Sequence, residues 1–212
     1  MAYLYHHASV DPIWDSAEMT RIKGKGGPTA PLDEYQLDDS WWQRGNVRTG
    51  EPFVGGGSHK STAYPVVVKQ WQRQTAVDDQ ILREIWRDEV RQLNRLKGLP
   101  KASLYLATLR SAFEDSKAFT LILDCGDRVP LAHHIKHSGT RTWCSAPRAL
   151  QNRIRLWREV TRLAIAIGIL HAQGLIHRNI DEWSIMTSGA PNADFILTGF
   201  EWSMRLSSKL TT

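Results

Sequence analysis

Cysteine is scarce in this 212-residue chain, which holds only Cys125 and Cys144. So small a number excludes a disulfide framework and a thiolate metal centre, and it fits a reducing cytoplasm. Long apolar runs are missing too. The longest, residues 163–170, falls far short of the roughly 20 residues a helix needs to cross a bilayer, so no membrane association is expected. The first residues, MAYLYHHASVDPIW, have neither a basic start nor an apolar stretch, and no secretory signal is expected. Blocks of like charge are absent. The net charge of +5 is spread over scattered Lys and Arg, which reads as a solvated surface and gives no support to a nucleic-acid partner. His133, His134 and His137 have no Cys or carboxylate beside them in a ligand pattern, so they read as a solvent face and no metal site is expected.

Tryptophan is what the chain has in quantity: nine residues, expected to anchor packing or an interface. Apolar residues at 42% and charged residues at 23% suit a soluble globular fold with a buried core. Residues 1–40 show no steady periodicity. Their Lys23-Gly24-Lys25-Gly26-Gly27-Pro28 stretch and Pro31 read as a linker, since no strand precedes Gly26-Gly27 to make it a phosphate loop.

Residues 41–69 turn to Gly, Thr, Val and aromatics, the pattern of a hairpin, with Gly55-Gly56-Gly57 expected at the turn. Tyr64-Pro65-Val66-Val67-Val68-Lys69 is β-branched enough for a buried strand. Ala76–Lys97 reads as an amphipathic helix with Ile81, Ile85, Leu93 and Leu96 along one face. Glu89 falls within that stripe, where a carboxylate needs a cation or a shifted pKa. Lys69 is the candidate cation; the alternative is a Glu89 that reaches solvent at the stripe edge. Strands are expected over residues 103–109 and 118–123, with a polar turn at Glu114-Asp115-Ser116, then a short helix and loop over 127–139. Ser145 and Pro147 suit the start of a long helix to about Ala172. Its positions Leu150, Ile154, Trp157, Val160, Leu163, Ala164, Ile167 and Leu170 leave the tail apolar nearly all round, so burial is expected.

Residues 170–186, LHAQGLIHRNIDEWSIM, contain the most informative segment. His177-Arg178-Asn179-Ile180-Asp181-Glu182-Trp183-Ser184 resembles the catalytic loop of protein kinases, H-R-D-L-x-x-x-N. Other features stand in the order such kinases have them. Gly45 and Gly50 match the outer glycines of a G-x-G-x-x-G loop, with Val47 at the middle one. Val67 and Lys69 match the V-A-I-K strand, and Glu89 its helix partner. Leu123, Asp124 and Cys125 resemble the hinge that contacts adenine. Gly199-Phe200-Glu201 stands at the D-F-G place. The resemblance implies an α+β, bilobal protein-kinase-like fold: an extension over 1–40, a small antiparallel sheet lobe with one helix over 41–124, and an incomplete, mainly helical lobe over 125–212. Aminoglycoside-phosphotransferase-like enzymes share the loop spacing, but Arg178 and Leu-His-Ala-Gln-Gly favour protein kinases.

The departures fall on the chemistry. Asn179 replaces the catalytic Asp, whose kind of positioned base contributes about 10²- to 10⁴-fold. Ser184 replaces the metal-binding Asn and Gly199 the metal-binding Asp, and magnesium prefers carboxylates and phosphates. Asp181 stands where these kinases usually have a Lys facing the γ-phosphate. Val67, larger than the usual Ala, narrows the adenine pocket. The expectation is a pseudokinase acting as a binding or regulatory module, with weak ATP binding or none and no magnesium. Its partner would be another protein or following domains of a longer polypeptide, because Ala164, Ile167 and Leu170 would otherwise lack cover. The alternative is an active atypical kinase or small-molecule phosphotransferase using Asp181, Glu182, Asp194 or Glu201.

Overall fold

A computed structural model describes residues 31–46, 49–73, 76–137, 146, 148–188 and 194–206. Val47, Cys144, Ser145, Pro147 and the Gly26-Gly27 stretch lie outside the described residues. The architecture is α+β, built on an antiparallel five-stranded sheet. Its strands are β1 (Tyr35–Gln43), β2 (Phe53–His59), β3 (Pro65–Gln72), β4 (Thr108–Glu114) and β5 (Ala118–Asp124), in the order β1-β2-β3-β5-β4. Among the described residues three helices follow or interrupt them: α1 (Ala76–Lys97), α2 (Leu131–His137) and α3 (Leu150–Ala172). No helix among the described residues is long and apolar enough to cross a membrane.

Strand β3 is central and covered on both faces, which explains its unbroken Val-Val-Val. Val67 and Trp71 point into the core shared with α1, while Val66 and Val68 pack with Tyr35, Phe113 and Ile122 on the opposite side. Strand β1 reaches that opposite side by bending: its register against β2 shifts between Leu37 and Trp41 and again before Gln43. The strand begins inside the expected extension over residues 1–40, because Tyr35 and Leu37 have an apolar surface to cover.

Gly55, Gly56 and Gly57 are not a turn. They lie in the middle of β2, where a Cβ on Gly55 would stand 2.7 Å from the Trp41 ring and one on Gly56 2.7 Å from that of Trp42. The glycines let two indoles lie directly on the strand. On α1 the buried stripe is Leu82, Trp86, Glu89, Leu93 and Leu96, whereas Ile81 is exposed. Glu89, Leu93 and Leu96 hold their expected places and Ile85 is half-buried against the core, while in the first turns Leu82 and Trp86 take the inner face, where Trp86 packs over Phe119 and its indole donates to the Thr120 carbonyl. The strand expected over 103–109 is displaced too: Ala102–Leu104 is a 3-10 turn, and β4 runs to Glu114.

Small paired strands complete the fold: β6 (Val129–Pro130), β7 (Leu175–Ile176), β8 (Ile185–Thr187), β9 (Ile196–Leu197) and β10 (Met204–Arg205), with β6-β8-β9 and β10-β7 as the sheets. Helix α3 is buried only along Glu159, Ala166 and Leu170. Burial of its apolar tail is met by Ala166 and Leu170 and in part by Leu163 and Ile167, and is corrected for Ala164 and Ile165, which are exposed; nearer the start of the helix Leu150, Ile154, Trp157 and Val160 are exposed too. His134 is also corrected, being buried rather than on a solvent face, while His133 stacks on His137 and meets the Trp42 ring.

Candidate functional site

A cleft of about 440 Å³ opens beside the sheet. Val54 and Val67 from the sheet, Leu123 at the end of β5 and Met186 from β8 give it apolar walls. Trp42 and Trp183 also line it, and Asn179, Asp181, Ser184, Thr198, Gly199 and Glu201 supply its polar surface.

At the inner end stands Lys69. Period-two alternation along β3 puts it on the α1 side with Val67 and Trp71, and Glu89 arrives from the buried stripe of α1. Lys69 Nζ donates to both Glu89 oxygens at 2.8 and 2.7 Å. It also donates to Glu201 Oε2 at 2.9 Å. The Phe200 amide adds a further bond to Glu89 at 3.3 Å. All three charged side chains are nearly out of water, at 4%, 0% and 8% exposure for Lys69, Glu89 and Glu201. Burial pushes Glu89 up to about 7, with the attraction of Lys69 opposing it and the Glu201 charge adding to it. Burial acts the same way on Glu201, but Lys69 outweighs it and holds that carboxyl below its ordinary value. Burial lowers Lys69, yet its two carboxylates more than compensate and raise it. The cluster holds one cation against two acids.

The loop after β7 is fixed from within. His177 Nε2–H donates to the Thr198 carbonyl at 2.8 Å, which leaves Nδ1 to accept from the Asn179 amide at 3.3 Å. Burial lowers the His177 pKa, keeping this neutral tautomer. Arg178 takes a left-handed backbone, φ 72°. One Asp181 oxygen accepts the amides of Trp183 and Ser184 at 2.9 and 2.8 Å, closing a tight turn. The Ser184 hydroxyl is likewise used locally, accepting from the Asp181 amide and donating to its carbonyl. Gly199 has φ 82°, and a Cβ there would lie 3.1 Å from Ser184 Cβ. A side chain at this position is therefore strained and crowded.

The expected site residues separate into two groups. Lys69, Val67, Leu123, Asn179, Ser184 and Gly199 line the cleft, and Glu89 stands behind Lys69. Gly45 and Gly50 flank the β1–β2 connection without lining the cleft; the Gly50 carbonyl instead accepts from the Trp71 indole at 2.9 Å. Asp124 and Cys125 do not line it either. Asp124 accepts from the Tyr64 hydroxyl at 2.8 Å, and Cys125 is buried with its thiol pushed up to about 12 by burial. Nothing in the residue pattern signals that Glu201 reaches Lys69, nor that Glu159, fully buried on α3, accepts the Phe195 amide at 2.8 Å. Both links depend on where separate segments meet.

The carboxylates that line the cleft come from Glu51, Asp181 and Glu201. Ser184 and Gly199 bring no carboxylate to the cleft, and Lys69 is already engaged. Among the described residues no group of three or more His, Cys, Asp or Glu is placed to hold a metal ion. Comparison with known protein families and with curated proteins gives no match to this chain.

Proposed function

We propose that this chain is a protein-kinase-like, bilobal domain that has lost phosphoryl transfer and works as a binding or regulatory module. The observation that carries the reading is the Lys69–Glu89 pair at the inner end of a cleft whose Asn179, Ser184 and Gly199 positions offer no catalytic or metal-binding carboxylate. Nucleotide binding in such a cleft is weak and independent of magnesium. The exposed apolar face of α3 is the surface for a protein partner or for further residues of the same polypeptide. A reducing cytoplasm suits the single described cysteine, which is free and buried.

A radiolabelled-ATP assay with magnesium and with manganese tests the reading. No transfer is expected, and transfer that disappears in Lys69→Ala would overturn it. The second reading is an active phosphotransferase with relocated acids. It draws support from Asp181 and Glu201, which both line the cleft.

A further inference from the structure

The inner end of the cleft already contains an anion of the protein's own. An ammonium has three N–H donors, and the two Glu89 oxygens and Glu201 Oε2 account for three contacts at 2.7 to 2.9 Å. Glu201 lines the cleft, whereas Glu89 lies behind it. Any ligand oxygen that is to reach Lys69 from the cleft must therefore take the place of Glu201 Oε2. A second anion added beside it meets the Glu201 carboxylate at close range, with Lys69 already shared between two acids, so repulsion opposes it. The turn Phe200–Trp202 packs on α1, and Ser203 bonds back to the Phe200 carbonyl through both its amide and its hydroxyl. The Glu201 carboxylate is thus held in place rather than swinging on a loose loop.

The rest of the cleft asks for a different chemistry. Val54, Val67, Leu123 and Met186 form apolar walls, with two indoles nearby. Arg44 and Lys136 also line the cleft, but both are exposed, so water screens what they can offer an anion.

We propose that Glu201 fills the place of a ligand phosphate, so that the cleft takes a flat, uncharged adenine-nucleoside-type ligand in preference to its phosphate esters. The inference rests on reading the cleft as a nucleotide cleft, as above, and it names Glu201 as the specificity-determining residue. Removing the Glu201 charge leaves Lys69 and Glu89 as a balanced pair and frees one N–H to face the cleft.

The test is calorimetry on the full chain and on Glu201→Ala and Glu201→Gln, with adenosine, metal-free ATP and tripolyphosphate as probes. The wild-type chain is expected to bind adenosine at least about tenfold tighter than ATP, and both variants to gain at least about tenfold for ATP and tripolyphosphate. Adenosine affinity should stay within about threefold. Glu201→Gln keeps the side-chain size, so a gain in it separates charge from space. If adenosine binds all three proteins and neither variant gains for ATP, Glu201 is not the determinant, while the nucleotide-cleft reading stands. If neither adenosine nor ATP binds any of them, the cleft reading falls and this inference falls with it.

Discussion

Trp71 and Trp157 are the same residue put to opposite uses. Trp71, on the central strand, is 1% exposed, and its indole N–H bonds a backbone carbonyl. Trp157, on α3, is 69% exposed, among Leu150, Ile154 and Val160 on one helix face. The sheet and α1 close on themselves: Val66 to Lys69 and Trp71 of β3 are buried on both faces, and even the ionic cluster inside is hydrogen-bonded. Helix α3 is apolar on two faces and covers only one. The difference teaches that apolar content alone does not locate a core, since a helix is buried by what lies against it.

The comparison is sharpest where charge is buried. Lys69→Met should leave two carboxylates without a cation and cost about 3–5 kcal/mol in urea unfolding. Adding Glu201→Gln to that variant should recover part of the loss, because only one acid then remains. A cost below about 1 kcal/mol would mean that the cluster is open to water and that the two regions differ less than the structure indicates.

Next comes the tryptophan pair itself. Trp71→Ala should cost about 3–5 kcal/mol, and Trp157→Ala within about 0.5 kcal/mol. Equal costs in chemical denaturation would erase the distinction drawn here. Gly199→Ala is intermediate, at about 1–2 kcal/mol, since it puts a Cβ on left-handed backbone against Ser184. For the same reason, Gly199→Asp together with Asn179→Asp and Ser184→Asn should destabilise the protein and give no transfer in the radiolabel assay.

Acidity probes the same cluster through Glu89. Its carboxyl moves from an ordinary 4.5 to about 7 in the folded state, so the folded protein holds a proton that the unfolded chain releases. Stability from this group is fully present below pH 4.5 and declines as pH rises through about 7. Glu201, held below its ordinary value, acts in the other direction: its contribution is present above that ordinary value and is lost on acidification. Unfolding from pH 4.5 to 7 should thus show a falling limb, with up to about one proton released, that Glu89→Gln removes. A flat limb in the unsubstituted protein would count against a protonated Glu89. The smallest effect on stability belongs to the outer face of α3: Ile154→Lys with Trp157→Glu should change unfolding by less than about 1 kcal/mol while reducing the binding of an apolar dye. Unchanged dye binding would place the accessible apolar surface elsewhere.

Several elements were legible in the residues alone because their causes are local. The bounds of α1 follow from an uninterrupted apolar period closed by Gly98 and Pro100, and the β-branched run at 66–68 could only be a covered strand. Glu89 inside an apolar stripe announced that it needed a cation, and Lys69 at the end of that strand was the one to find. The three glycines of β2 misled for a physical reason: close approach and turning both call for glycine, and only the facing Trp41 and Trp42 distinguish them. On α1 only Ile81 departs from the expected face, because Leu82 and the large Trp86, with Phe119 beside it, fill the inner side of the first turns. Helix α3 looked buried because composition reports apolarity and not what is packed against it. Glu201 belongs wholly to the tertiary structure. It lies 132 residues from Lys69 in the chain, and nothing periodic links the two. The residues by themselves determined that a buried acid and a buried base would meet. The packing of Phe200–Trp202 on α1 decided that a second acid would join them.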